Sequence, residues 1–238
     1  MSKIAENAVR IVERVADACR QAGRDPSEVK ILAAAKYTDR AGVEELIRAG
    51  IFLIGENRVQ DAVAKLCADD RTGQVDIHDA FPNVKVHFIG HLQTNKINQA
   101  LRLFDLIETV DRASLADQLE KRLVEQNRIL PVLVEVKLTE EDTKTGCPES
   151  EIPKLLDHIW TNCRHLELKG FMGMGPWDPN PEVARPFYKK LRACYVRFSP
   201  DAPARGIFDT VSMGMSADFH VAIQEGATVV RIGRALFE

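Results

Sequence analysis

Two chemical features stand out of this sequence: an amine at the end of an apolar run, and a pair of segments able to cradle a phosphate. Lys36 closes Ile31-Leu32-Ala33-Ala34-Ala35-Lys36, where small and branched apolar residues lead straight to the amine. Such a run predicts a fully buried strand, with the lysine at its C-terminal end, where ligands sit in parallel α/β folds. Apolar neighbours destabilise the charged form of a lysine and free its amine for Schiff-base chemistry. The same placement also suits a lysine that reaches out to solvent or pairs with a carboxylate. Ser212-Met213-Gly214-Met215-Ser216-Ala217-Asp218 offers hydroxyls, a glycine that allows close backbone approach, and a helix start. Gly233 and Arg234 add backbone N–H groups, and in barrels the last two strand-end loops commonly hold a phosphate. An amine and a phosphate cradle in one mouth are what a phosphorylated aldehyde requires. Arg231 lies inside Val229-Val230-Arg231-Ile232-Gly233, where a buried charge is costly unless paired. Two readings of it stand: a structural ion-pair partner, or a cation facing the nitrogen of a pyridine ring and keeping it unprotonated.

These residues need a scaffold that brings distant strand ends together, and the rest of the chain supplies one. After an opening helix with Ile4, Ala8, Ile11, Val15 and Cys19 on one face, a short apolar run, a break and a helix-period segment repeat. The apolar runs are 30–35, 51–54, 85–89, 106–110, 132–136, 166–171, 207–211 and 228–232. Helical patterns fall at 43–49, 58–66, 96–104, 114–126, 152–160, within 183–198 and at 217–225. Alternation of this kind predicts βαβ units around a parallel sheet, and about eight of them make a (β/α)8 barrel. The chain reads as one domain, 1–238, with the extra N-terminal helix taking the place of an eighth barrel helix. A doubly wound open sheet is the alternative. The longest irregular stretch, 68–84, reads as a surface loop.

Composition narrows the function further. A net charge of −3 over 238 residues leaves no electrostatic footprint for nucleic acid or an anionic membrane. No apolar run is long enough to span a bilayer, and no signal-peptide core precedes the first helix. Five cysteines without a C-x-x-C pair fit reduced thiols in a cytoplasm. His87 and His91 are four apart but straddle a strand end and a glycine, so they do not form the paired ligands of a zinc helix, and no metal site is expected.

Longer motifs then become recognisable. They are Lys30-Ile31-Leu32-Ala33-Ala34-Ala35-Lys36, Phe52-Leu53-Ile54-Gly55-Glu56-Asn57-Arg58-Val59-Gln60, His87-Phe88-Ile89-Gly90-His91-Leu92-Gln93 and Thr109-Val110-Asp111. Lys144-Thr145-Gly146, the Ser212–Asp218 segment and Val230-Arg231-Ile232-Gly233 complete the set. On these motifs the chain resembles the pyridoxal phosphate homeostasis proteins, from about residue 4 to its end. The resemblance implies a single-domain barrel of the alanine racemase N-terminal type, with pyridoxal 5′-phosphate held as a Schiff base on Lys36. It further implies that Ser212, Gly214, Met215, Ser216, Gly233 and Arg234 hold the phosphate, largely by backbone N–H groups. Arg231 would approach the ring nitrogen and Asn57 would line the ring edge. Position 234 departs from the small hydroxyl residue expected there, so its contact would come from the backbone.

Two classes of function follow. One is a monomeric carrier that holds the cofactor and passes it to recipient apo-enzymes without turnover. The other is an enzyme: a pyridoxal phosphate-dependent racemase or decarboxylase, or a Schiff-base aldolase using Lys36 alone. A racemase needs acid and base on opposite faces of the substrate carbon. Racemases resembling this barrel draw the second from an additional C-terminal domain, and the chain stops at Glu238. The carrier is therefore the expected function.

Overall fold

The computed structural model describes residues 2–140, 145–202 and 207–238, so Lys144 of the Lys144-Thr145-Gly146 motif lies outside the described residues. Helix α1 (Lys3–Gln21) opens the chain and leads to β1 (Lys30–Ala34), α2 (Arg40–Arg48), β2 (Leu53–Glu56) and α3 (Val59–Leu66). The short α4 (Ile77–Ala80) precedes β3 (Lys85–Phe88), α5 (Ile97–Leu103), β4 (Leu106–Val110) and α6 (Ala113–Gln126). Then come β5 (Leu130–Val136), α7 (Ile152–Asn162), β6 (Leu166–Gly173) and α8 (Arg185–Phe198). The chain ends with β7 (Thr210–Met215), α9 (Phe219–Gln224), β8 (Val229–Ile232) and α10 (Arg234–Phe237).

The strands pair in parallel and in chain order, and β1 closes on β8 to make a barrel. Both faces of such strands are covered, which is why their sequences are continuous apolar runs rather than alternations. Every residue of β4 is buried, including Glu108 and Thr109. Helix α10 is too short to cover the β8–β1 seam, and α1 does so, packed against α2, α9 and α10. Its predicted face is the buried one: Ala8, Ile11, Val15 and Cys19 face the core, with Ile4 packed at its margin. Buried Asn7 donates from Nδ2 to the Leu236 carbonyl at 3.1 Å and ties the last turn of the chain to α1.

The fold departs from expectation in three places. The stretch 68–84 is not wholly irregular. It carries α4, whose Ile77 is fully buried, and His78 reaches Asp105 through Nε2 at 3.0 Å. Strand β1 stops at Ala34, and Lys36 sits in the 3-10 turn Ala35–Tyr37. The seventh strand is Thr210–Met215 rather than 207–211. Ile207 is 67% exposed, while Phe208 packs among Phe171, Tyr195 and Trp160 outside the barrel. The apolar pair Ile207-Phe208 therefore imitates a strand without being one. The true strand continues through Gly214, which adopts φ +91° beside a register shift between Ser212 and Met215. A side chain there would be strained, and its Cβ would lie 2.5 Å from that of Ala222 in α9.

Candidate functional site

A cavity of about 340 Å³ opens at the C-terminal ends of the strands. Lys36, Asn57, Met215, Ser216, Arg231, Gly233 and Arg234 line it, so seven of the nine expected site residues converge from β1, β2, β7 and β8. Ser212 and Gly214 do not. Both belong to the buried part of β7, and at Gly214 the positive φ and the packing of α9 leave no room for a side chain.

Lys36 is held by its backbone. The Ala35 carbonyl accepts from the Thr38 N–H at 3.2 Å and from the Lys65 ammonium at 2.8 Å. Lys65 also pairs with the buried Glu56 carboxylate at 2.8 Å, so α3 clamps the turn against β2. Burial raises the Glu56 pKa, against the pull of its Lys65 partner. Asp39 then accepts from the Gly42 N–H and starts α2. The Lys36 side chain itself is exposed, with Nζ 4.9 Å from the Tyr37 ring centroid. Of the two placements open to Lys36, the structure shows the exposed one: the apolar run buries the strand, and the turn lifts the lysine into the open cavity.

On the opposite wall the β7 and β8 loops are stitched together. The Gly233 N–H donates to the Ser216 hydroxyl at 3.2 Å, and the Met215 N–H donates to Asp218 at 2.6 Å. Arg234 is exposed and makes no ion pair among the described residues. The Ser216 hydroxyl and the Arg234 guanidinium are the side-chain donors of this rim, and they match the acceptor oxygens of a phosphate. Asn57 is set by a close backbone approach, since a Cβ on Gly90 would fall 2.1 Å from the Asn57 carbonyl oxygen.

Beneath the cavity lies a polar network that sequence reasoning missed. Arg231 donates from one nitrogen to both the carbonyl and the hydroxyl of Ser212, each at 2.8 Å, and from the other to the Gly173 carbonyl at 2.9 Å. Ser212 in turn donates to Glu108 at 2.6 Å, and Glu108 also bonds His87 Nδ1 at 2.8 Å. Complete burial alone would raise the Glu108 pKa. The hydrogen bond from His87, with Arg231 and Ser212 behind it, wins and holds the carboxyl below its usual range. Arg231 is therefore held by two carbonyls and a hydroxyl rather than by a direct ion pair among the described residues, and it lines the cavity.

Glu135, where the related family commonly has an asparagine, is a second buried acid outside the expected site residues. It lines the cavity, is only 2% exposed, and accepts from the Thr145 hydroxyl at 3.0 and 3.2 Å. Burial, assisted by the charge of Asp111, pushes its carboxyl up to about 7, against the Thr145 hydrogen bond and the charge of Arg231. A signal for both acids was available. Leu106-Ile107-Glu108-Thr109-Val110 and Val132-Leu133-Val134-Glu135-Val136 each set a charge inside an apolar run, as the Arg231 segment does.

The residues present fit a phosphorylated pyridine aldehyde. An accessible amine, a donor-rich rim and a buried arginine share one cavity within the size range of small-ligand sites. Comparison with known proteins points to the same cofactor. Residues 46–238 match the alanine racemase N-terminal domain family. The pyridoxal phosphate homeostasis protein of Aquifex aeolicus is 36% identical over 234 residues, covering 98% of this chain and 96% of its own. A solved structure of a protein from Bifidobacterium adolescentis superposes with a TM-score of 0.88 at 32% identity, over 99% of this chain and 94% of that one. PipY of Synechococcus elongatus, solved with pyridoxal phosphate bound, gives a TM-score of 0.78 at 28% identity over 99% of this chain and all of its own. The chain belongs to the alanine racemase N-terminal domain family and, within it, to the pyridoxal phosphate homeostasis proteins.

Proposed function

We propose that this protein binds pyridoxal 5′-phosphate as a Schiff base on Lys36, and that it buffers the cofactor in the cytoplasm and passes it, as a monomer, to recipient apo-enzymes. The observation that carries the reading is the meeting of the Lys36 amine with the Ser216, Gly233 and Arg234 rim in one cavity. When bound, the cofactor supplies an electrophilic carbonyl and an electron-withdrawing ring. The chain's own residues do the holding. Lys36 provides the covalent link, and Met215, Ser216, Gly233 and Arg234 take the phosphate. Asn57 borders the ring, and Arg231 faces its nitrogen with a cation that cannot give up a proton. Ser212 acts behind Arg231 rather than on the phosphate, and Gly214 shapes β7.

The test is the visible spectrum of purified protein before and after borohydride, followed by peptide mapping. The expected result is a yellow band that reduction converts into an adduct on Lys36. A colourless chain that cannot be reconstituted with the cofactor would instead favour an aldolase using Lys36 alone.

One observation favours a catalytic reading. Glu135, with its carboxyl at about 7, is a cavity acid of the kind that proton transfer at a substrate carbon requires. Incubating the loaded protein with L-alanine in D2O separates the two readings. A carrier leaves the α-hydrogen in place, whereas a racemase exchanges it and loses optical activity.

A further inference from the structure

The buried network under the cavity is more elaborate than anchoring one arginine requires. Arg231 on β8 already has two backbone carbonyls, those of Ser212 and Gly173. The Ser212 hydroxyl adds a third contact and connects the guanidinium to Glu108 on β4, across the interior of the barrel. Glu108 has no exposed surface, and its remaining oxygen bonds His87 on β3. We propose that Glu108 is a positioning residue: through Ser212 it fixes the Arg231 guanidinium against the cavity floor and offsets its charge there, so setting the potential felt by a bound cofactor. The inference rests on the pyridoxal phosphate reading.

Charges buried beneath the cavity act on one another with little water between them. A cation beside a bound pyridine ring disfavours any added proton on the ring or on the link to Lys36. An anion two hydrogen bonds behind that cation opposes the effect, and little solvent is present to screen it. The groups facing Glu108 are His87 from β3, Ser212 from β7 and Arg231 from β8. Glu135 on β5, the other buried acid of the cavity, faces Thr145 and lies in the fields of Asp111 and Arg231. Glu108 is thus the acid joined to Arg231 through a hydrogen-bonded intermediary, and Ser212 is that intermediary.

The experiment is a spectrophotometric pH titration of the loaded full-length chain, with borohydride trapping and mass measurement on the same samples. Glu108→Gln keeps the shape of the side chain and removes its charge. It is expected to retain the adduct on Lys36 and to lower the midpoint of the spectral transition by roughly one pH unit, as the unopposed arginine disfavours the protonated link. Glu108→Asp keeps the charge and is expected to stay near the wild-type midpoint, whatever it does to thermal stability. A purely structural role would lower the stability of both variants and move neither midpoint. If Glu108→Gln does not fold, Ser212→Ala cuts the connection with both charges retained, and its midpoint moves the same way by less. An unmoved midpoint in the folded variant, with normal trapping, overturns the inference alone. Failure of the wild-type chain to trap cofactor overturns the underlying reading and this inference with it.

Discussion

Lys36→Ala abolishes the borohydride-stable adduct and leaves the barrel standing. The covalent half of this expectation rests on the cavity wall. Among the described residues that line it there is no second lysine, and an arginine cannot form the link. The stability half rests on where the side chain lies. Lys36 is exposed, its ammonium lies over the face of Tyr37, and what holds its turn is the Ala35 carbonyl in the grip of Lys65. Removing the side chain leaves that grip intact, so unfolding free energy changes by no more than about 0.5 kcal/mol. Mass spectrometry of the reduced protein reads the first quantity and denaturant titration the second. Lys36→Arg keeps the positive charge without the nucleophile, and is expected to bind the cofactor without trapping it. An adduct on another lysine in Lys36→Ala would refute the assignment. A collapse in stability would mean that the turn depends on the side chain after all.

How much of this was legible beforehand follows from which interactions are local. Strands buried on both faces reveal themselves as uninterrupted apolar runs, and the barrel was readable from their number and spacing. The seventh strand was misplaced because Ile207 and Phe208 are apolar for a reason outside the barrel, while the genuine strand includes the glycine that a strand reader takes for a turn. Lys36 and Arg231 were found because each breaks an apolar run with a charge. Glu56, Glu108 and Glu135 break such runs too, but a partner for each had to be supplied by the fold. Ser212 lies 104 positions from Glu108, and Gly173 lies 58 from Arg231, so no window of sequence contains either pair. Which of its two placements Lys36 takes was undecided for the complementary reason. Burial of a strand says nothing about the turn that follows it, and here the open amine of Lys36 comes directly after buried Ala35, within one 3-10 turn.

Glu135→Gln is expected to stabilise the protein at alkaline pH and to do little at acidic pH. In the fold the carboxyl titrates at about 7, whereas an unperturbed glutamate titrates at 4.5. Because the folded pKa is raised, the native chain binds more protons than the unfolded chain between these two values, and stability falls as pH rises through that window. Below pH 4.5 the group is neutral in both states and the penalty is absent. Above 7 it is ionised in both, and the native state carries the full cost of a charge with only the Thr145 hydroxyl as a hydrogen-bond partner among the described residues. At about 1.4 kcal/mol per unit, this cost amounts to at most about 3.5 kcal/mol. The amide keeps an acceptor for Thr145 and carries no charge. Denaturant midpoints should therefore agree for wild type and variant near pH 4 and separate progressively toward pH 8, with the variant the more stable. Equal separation at both ends would show that Glu135 acts by packing alone. The same ionisation bears on the ligand, because a carboxylate that forms in the cavity above pH 7 opposes a bound phosphate. Cofactor affinity in the wild type should weaken from pH 6 to pH 8 more than in Glu135→Gln, and equilibrium dialysis at the two pH values measures the difference. A buried acid poised at neutrality thus makes fold and cargo respond to pH in the same direction, each losing ground as the carboxyl gives up its proton.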